Sequence, residues 1–139
     1  MQVSRRRRTG GNAIEISQNL IRNGDFASDT LWTKGTGWTI SAGVASAVAT
    51  GASALSQVIA GLQAGKTYRV IFSITAQTVA GDGVAFIVGG SLQSTPRLGV
   101  GTHTQDIVAG ATTTFQFNAA VAGAWEGSID NVSVQKVGF

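Results

Sequence analysis

Residues 66–76 read Lys-Thr-Tyr-Arg-Val-Ile-Phe-Ser-Ile-Thr-Ala, and their period of two decides the fold. In an extended chain Tyr68, Val70, Phe72 and Ile74 share one side, while Arg69, Ser73 and Thr75 share the other. Ile71 interrupts the polar side, so that face is partly covered as well. The same pattern recurs outward from this stretch. Thr112–Phe117 places Thr113, Phe115 and Phe117 together, and Val132 and Val134 alternate with Ser133 and Gln135. Ile129 is out of parity with those valines, which predicts a bulge or a strand end around Asp130-Asn131. Turn sequences separate the runs: Asn23-Gly24-Asp25, Gly35-Thr36-Gly37, Ala42-Gly43, Ala64-Gly65-Lys66, Gly81-Asp82-Gly83, Gly89-Gly90 and Val108-Ala109-Gly110. No segment carries a capped helical stripe. Short alternating strands between regular turns predict an all-β protein, an antiparallel β-sandwich or jelly roll.

The chain has 139 residues, 12% of them charged and 43% hydrophobic, with no cysteine. That is the size of one domain, and it is too apolar for intrinsic disorder. Without cysteine there are neither disulfides nor thiolate metal sites. The net charge of +3 conceals a separation. Four of the ten basic residues are the run Arg5, Arg6, Arg7 and Arg8; without them the chain holds six basic and seven acidic residues. Residues 1–18 therefore read as an extended basic arm and residues 19–139 as the domain. Within the arm, Ala13-Ile14-Glu15-Ile16-Ser17 alternates, so Ile14 and Ile16 face one way and suit addition to a sheet edge. A basic arm on a near-neutral body suits an anionic partner. Thr9-Gly10-Gly11-Asn12 follows the arginines where a secretory signal would have an apolar run, and no stretch has the length of a membrane span. The expectation is a protein made in a cytoplasm, with no membrane partner.

Several stretches imitate catalytic motifs. Gly61-Leu62-Gln63-Ala64-Gly65-Lys66-Thr67 has three residues between its glycines where a phosphate-binding loop needs four. It also leads into the clearest strand where a phosphate-binding loop would lead into a helix, so it reads as a turn. The single histidine, His103, stands between two threonines, with no cysteine and no Gly-x-Ser-x-Gly elbow to accompany it. One histidine cannot build a His/Cys metal cluster. Asn131-Val132-Ser133 matches a glycosylation sequon but lies in the expected last strand. An enzyme is not expected, and no cofactor follows from these residues.

Asn19-Leu20-Ile21-Arg22-Asn23-Gly24-Asp25-Phe26, followed by Gly37-Trp38, resembles the opening of carbohydrate-binding modules of the galactose-binding-like jelly-roll superfamily. Ala54-Leu55-Ser56-Gln57-Val58 and Gly61 to Val70 continue the resemblance, and Thr114-Phe115-Gln116-Phe117 and Ile129-Asp130-Asn131-Val132-Ser133-Val134 close it. The blocks run over residues 19–136. Phe26, Trp38, Tyr68, Phe72, Phe115 and Phe117 are the expected core, each worth about 1.5–3 kcal/mol when buried. Asp130 beside Asn131 is expected to tie the last strand to the first loop.

The resemblance implies two sites. A structural calcium would lie near the first loop and the last strand, with Asp130 as a ligand. Ala27 stands where the family's second carboxylate would be, and that loss weakens a hard-cation site. A glycan site would use aromatic rings, and Trp32 and Trp125 lie outside the core blocks, the latter beside Glu126.

Two functions follow. Modules of this kind recur as accessory domains on tailed-bacteriophage particles. The first expectation is a non-enzymatic virion protein, a capsid decoration, cement or head-fibre component. Its arm, through Arg5–Arg8 with Ile14 and Ile16, would bind the major capsid protein or another virion protein and reach a neighbouring subunit. A homo-oligomer is expected, with a trimer at a symmetry axis as its form. The alternative is a free-standing carbohydrate-binding module that recognises a glycan, such as one on a host surface, through exposed Trp32 and Trp125 with Glu126. Nucleic acid ranks third, bound through the arm with no base-reading element in the body.

Overall fold

A computed structural model describes residues 18–48, 54–81, 83–92, 96–119 and 125–137. The described residues form strands and turns without helix, as the alternation predicts. One antiparallel sheet contains β1 (Thr33–Lys34), β4 (Ala54–Val58), β9 (Thr114–Asn118), β6 (Ala85–Val88) and β7 (Ser91–Leu92), in the spatial order β1-β4-β9-β6-β7. The other contains β2 (Trp38–Ser41), β3 (Val44–Ala47), β10 (Glu126–Lys136), β5 (Thr67–Val79) and β8 (Gly101–Val108), in the order β2-β3-β10-β5-β8. The two sheets pack face to face as a jelly-roll-like β-sandwich.

The core is the sum of the inward parities. Tyr68, Val70, Phe72 and Ile74 of β5 are all buried, as are Phe115 and Phe117 of β9 and Val132 and Val134 of β10. Phe72 joins the sheets: its ring centroid lies 5.1 Å from that of Phe117 and 6.1 Å from that of Phe86, both edge-on. Such pairs add about 0.5–1.5 kcal/mol each beyond their buried area. Phe26 and Trp38 are buried as expected. Thr113 departs from expectation. Strand β9 starts one residue later, and Thr113 is exposed while its carbonyl accepts the amide of Ile59 at 2.7 Å.

The parity break near Asp130 is a β-bulge. Asp130 pairs with Ser73 and Ser133 with Ile71, so three steps on β10 match two on β5. Asn131 takes the slack in a left-handed conformation, φ 52°. Ile129 therefore stays in the core together with Val132 and Val134, although an uninterrupted strand would turn them to opposite faces. Between β2 and β3, Ala42 (φ 53°) and Gly43 (φ 78°) form the two-residue turn whose double positive φ marks type I′. Gln63 to Lys66 closes a turn, Lys66 N–H to Gln63 O at 3.2 Å, with Gly65 at φ 81°. The phosphate-loop imitation is thus a strand connection that opens into β5.

Candidate functional site

The expected glycan rings belong to the core. Trp125 is 0% exposed and Trp32 7%. Trp32 lies 5.3 Å from Phe26 and 6.3 Å from Phe115 between ring centroids, and its Nε1 donates to the carbonyl of Asn23 at 2.9 Å. Trp125 donates its Nε1 proton to Gln77 Oε1 at 2.9 Å. Both faces and both polar edges are committed inside the protein, so neither indole offers a surface to a pyranose.

The suggested pairing of Trp125 with Glu126 also fails, for a geometric reason. Adjacent residues of an extended chain point to opposite faces. Trp125 goes inward with Gly127 and Ile129, while half-buried Glu126 turns outward and accepts from Thr78 Oγ1 at 2.7 Å. The signal was legible, because Trp125, Gly127 and Ile129 share a parity. Gly127 makes room for the indole, since a Cβ there would stand 2.5 Å from Cζ2 of Trp125 and 2.3 Å from the carbonyl oxygen of Ala76.

The tie between the first loop and the last strand exists, but Asn19 makes it in place of Asp130. Asn19 Oδ1 accepts the amides of Val134 at 2.9 Å and of Ile21 at 3.0 Å. The backbone adds Leu20 N–H to Val134 O at 2.8 Å and Val132 N–H to Gly24 O at 2.9 Å. Gly24 lies so close to β10 that a Cβ would stand 2.2 Å from the carbonyl oxygen of Val132. Asp130 turns back on its own chain, Oδ1 accepting Asn131 N–H at 2.7 Å.

The bulge and the first loop enclose a shallow, open polar cleft lined by Asn19, Asn23, Asp25, Asn131 and Ser133. Its one carboxylate, Asp25, already accepts the amide of Ala27 at 3.2 Å, and Asp130 is not part of the lining. Among the described residues no three His, Asp or Glu side chains gather as a cation site. The residues present do not fit the calcium that the resemblance implies.

A second buried polar device holds the loop before β1. Gln57, 3% exposed, accepts the amide of Arg22 at 2.9 Å and returns its own amide to the carbonyl of Arg22 at 2.9 Å. His103 is a strand residue, its ring 5.5 Å from that of Phe72 and Nε2 2.9 Å from the carbonyl oxygen of Gly99. Two ion pairs lie on the body: Lys34 reaches Asp29 at 2.5 Å, and Arg69 forks onto Asp106 at 2.8 and 3.1 Å. Asp106, first by hydrogen bonding and then by its charge, raises the pKa of the Arg69 guanidinium above its already very basic ordinary range.

Arg5, Arg6, Arg7, Arg8, Ile14 and Ile16 lie outside the described residues. The root of the arm is placed: Asn19 and Leu20 bond Val134 in the C-terminal half of β10, and Gln18 lines a groove with Val58 and Ile59. Compared with known proteins, the chain matches no family model and no curated protein.

Proposed function

We propose that this chain is a non-enzymatic structural protein of a tailed-bacteriophage particle, a capsid decoration or cement protein that docks through its basic arm. The allocation of the tryptophans carries this reading. Trp32, Trp38 and Trp125 all serve the core, so a sugar-binding reading lacks its stacking rings. The four-arginine run is then the strongest binding determinant in the sequence. Guanidinium forks suit carboxylates on a capsid surface, and such bonds gain strength where water is partly excluded. Each contact would be weak. Symmetry multiplies them over the shell, and a homo-oligomer such as a trimer multiplies them again. The jelly-roll-like body, with its small polar side chains on the outer strand faces, serves as a rigid, weakly charged cap.

Quantitative mass spectrometry of density-purified particles from the source, normalised to the major capsid protein, tests this. A decoration role requires copies on the order of hundreds per particle, because an icosahedral shell repeats each surface site. A handful would move the protein to a fibre or tail position. Absence from the particles would overturn the reading.

A further inference from the structure

Four strands have an unpaired side among the described residues, and three of them are short. β1 and β7 have two residues each and β2 has four. Short edge strands give another chain little to pair with, and β1 adds Lys34. β8 is different. It runs eight residues, Gly101–Val108, in unbroken register with β5 from Ile74↔Gly101 to Thr67↔Val108. It contains no lysine, no proline and no bulge, and its one charged side chain, Asp106, is bound to Arg69. Among the described residues no strand, bulge, proline or unpaired charge protects this edge.

The hydrogen bonds fix which backbone groups this edge presents. Val134 gives its amide to Asn19 and receives that of Leu20, so its backbone faces away from β5. Its partner Val70 therefore faces β8 and bonds Gln105, because neighbouring residues alternate in direction. By the same alternation Thr102, Thr104, Asp106 and Val108 turn their N–H and C=O groups outward, to the side where the described residues place no strand. Exposed Val100 precedes this row, and exposed Val108 ends it.

The same bonds locate the root of the arm. Leu20 sits on the side of β10 opposite β5, so a row outside β8 lies four strand spacings away, about 19 Å. Crossing that distance within one molecule would consume the whole of Ala13–Ser17. A second copy imposes no such crossing when its β8 edge lies against the root of the arm, because Ala13–Ser17 ends directly before Gln18 and spans about 17 Å when extended.

We propose that the outer edge of β8 receives the Ala13–Ser17 segment of a second copy as an added strand. Backbone bonds to Thr102, Thr104 and Asp106 would supply affinity, and Ile14 and Ile16 would extend the apolar side beside Ile107. The contact is head-to-tail, since arm and edge are different surfaces. It closes into a ring, such as a trimer, or continues as a chain. It involves only copies of this chain and does not depend on what Arg5–Arg8 grip.

Hydrogen exchange by mass spectrometry on the purified full-length protein, at several concentrations, tests the proposal alongside sedimentation velocity. The wild type is expected to associate and to exchange the amides of residues 101–108 about tenfold more slowly at high concentration than at low. Ile14→Lys/Ile16→Lys is expected to abolish both effects while leaving the exchange of β5 and β10 unchanged. Thr104→Pro removes an outward N–H without touching the β5 ladder, so it is expected to abolish association in a folded protein. Equal exchange of residues 101–108 in wild type and arm variant would overturn the proposal. Protection that ignores concentration would place the arm on its own molecule and also overturn it. Association that survives the arm variant would overturn it as well.

Discussion

Trp125 gives its indole proton to Gln77 Oε1 at 2.9 Å, and the same oxygen accepts the amide of Gly99 at 2.9 Å. One side chain of β5 thus satisfies the start of β10 and the approach to β8. Replacing Gln77 with Ala leaves both donors, one of them on fully buried Trp125, without this acceptor at a half-buried position. A loss of about 1–3 kcal/mol is expected, read by chemical denaturation. Gln77→Glu keeps an acceptor at this position and is expected to lose less.

The three tryptophans are buried, which makes their fluorescence a reporter on the core. The emission is expected to resist aqueous quenchers in the native state. Titration with a broad set of mono- and oligosaccharides is expected to leave it unchanged. A saturable shift with any sugar would show that an indole reaches solvent and would reinstate a stacking site.

Gly127 and Gly24 are positions where chain and chain, or chain and ring, approach too closely for a side chain. Gly127→Ala drives a methyl group against Trp125 and the carbonyl of Ala76. Overpacking of this kind costs about 1–3 kcal/mol, and with backbone on one side the upper end is expected. Thermal unfolding of Gly127→Ala and Gly24→Ala, with Gly61→Ala as a control at an open position, checks the contrast.

Asn19 bridges the root of the arm and Val134. Asn19→Ala withdraws the acceptor of two backbone amides. Stability is expected to fall by about 1–2 kcal/mol, with faster amide exchange concentrated in residues 19–24 and 132–134. Uniformly faster exchange over the whole sandwich would show that the bridge supports the core as a whole and is not a local clasp.

The Arg69–Asp106 fork lies in solvent, where screening leaves little net gain. Arg69→Ala is therefore expected to leave the melting temperature unchanged. The sign of the pKa shift agrees. A raised guanidinium pKa adds stability that is present at lower pH and lost only as pH climbs through arginine's own very basic range. No pH dependence from this group is expected across the neutral range, which a pH series of melting curves would verify.

Much of the architecture was legible in the sequence because a strand needs only a period of two. The inward row Tyr68, Val70, Phe72 and Ile74 and the pair Phe115 and Phe117 were readable from local order alone. Even the bulge at Asp130-Asn131 showed as a slip in parity. The site residues were harder to read. Trp32 and Trp125 stand outside the core blocks, yet an aromatic ring in a loop looks the same whether it faces water or core. Parity with Gly127 and Ile129 held the answer for Trp125. Nothing comparable existed for Trp32, which is held by Phe26, Phe115 and the carbonyl of Asn23.

Local alternation, turn residues and the segregation of charge into Arg5–Arg8 are short-range properties, and the linear order of residues carries them in full. Strand order is a long-range property. That Asn19 clasps Val134, and that β8 is left as the long open edge among the described residues, depend on which of the ten described strands become neighbours across more than a hundred residues. Packing between the sheets selects those neighbours by burying the aromatic cluster around Phe72, and no local pattern along the chain encodes that choice.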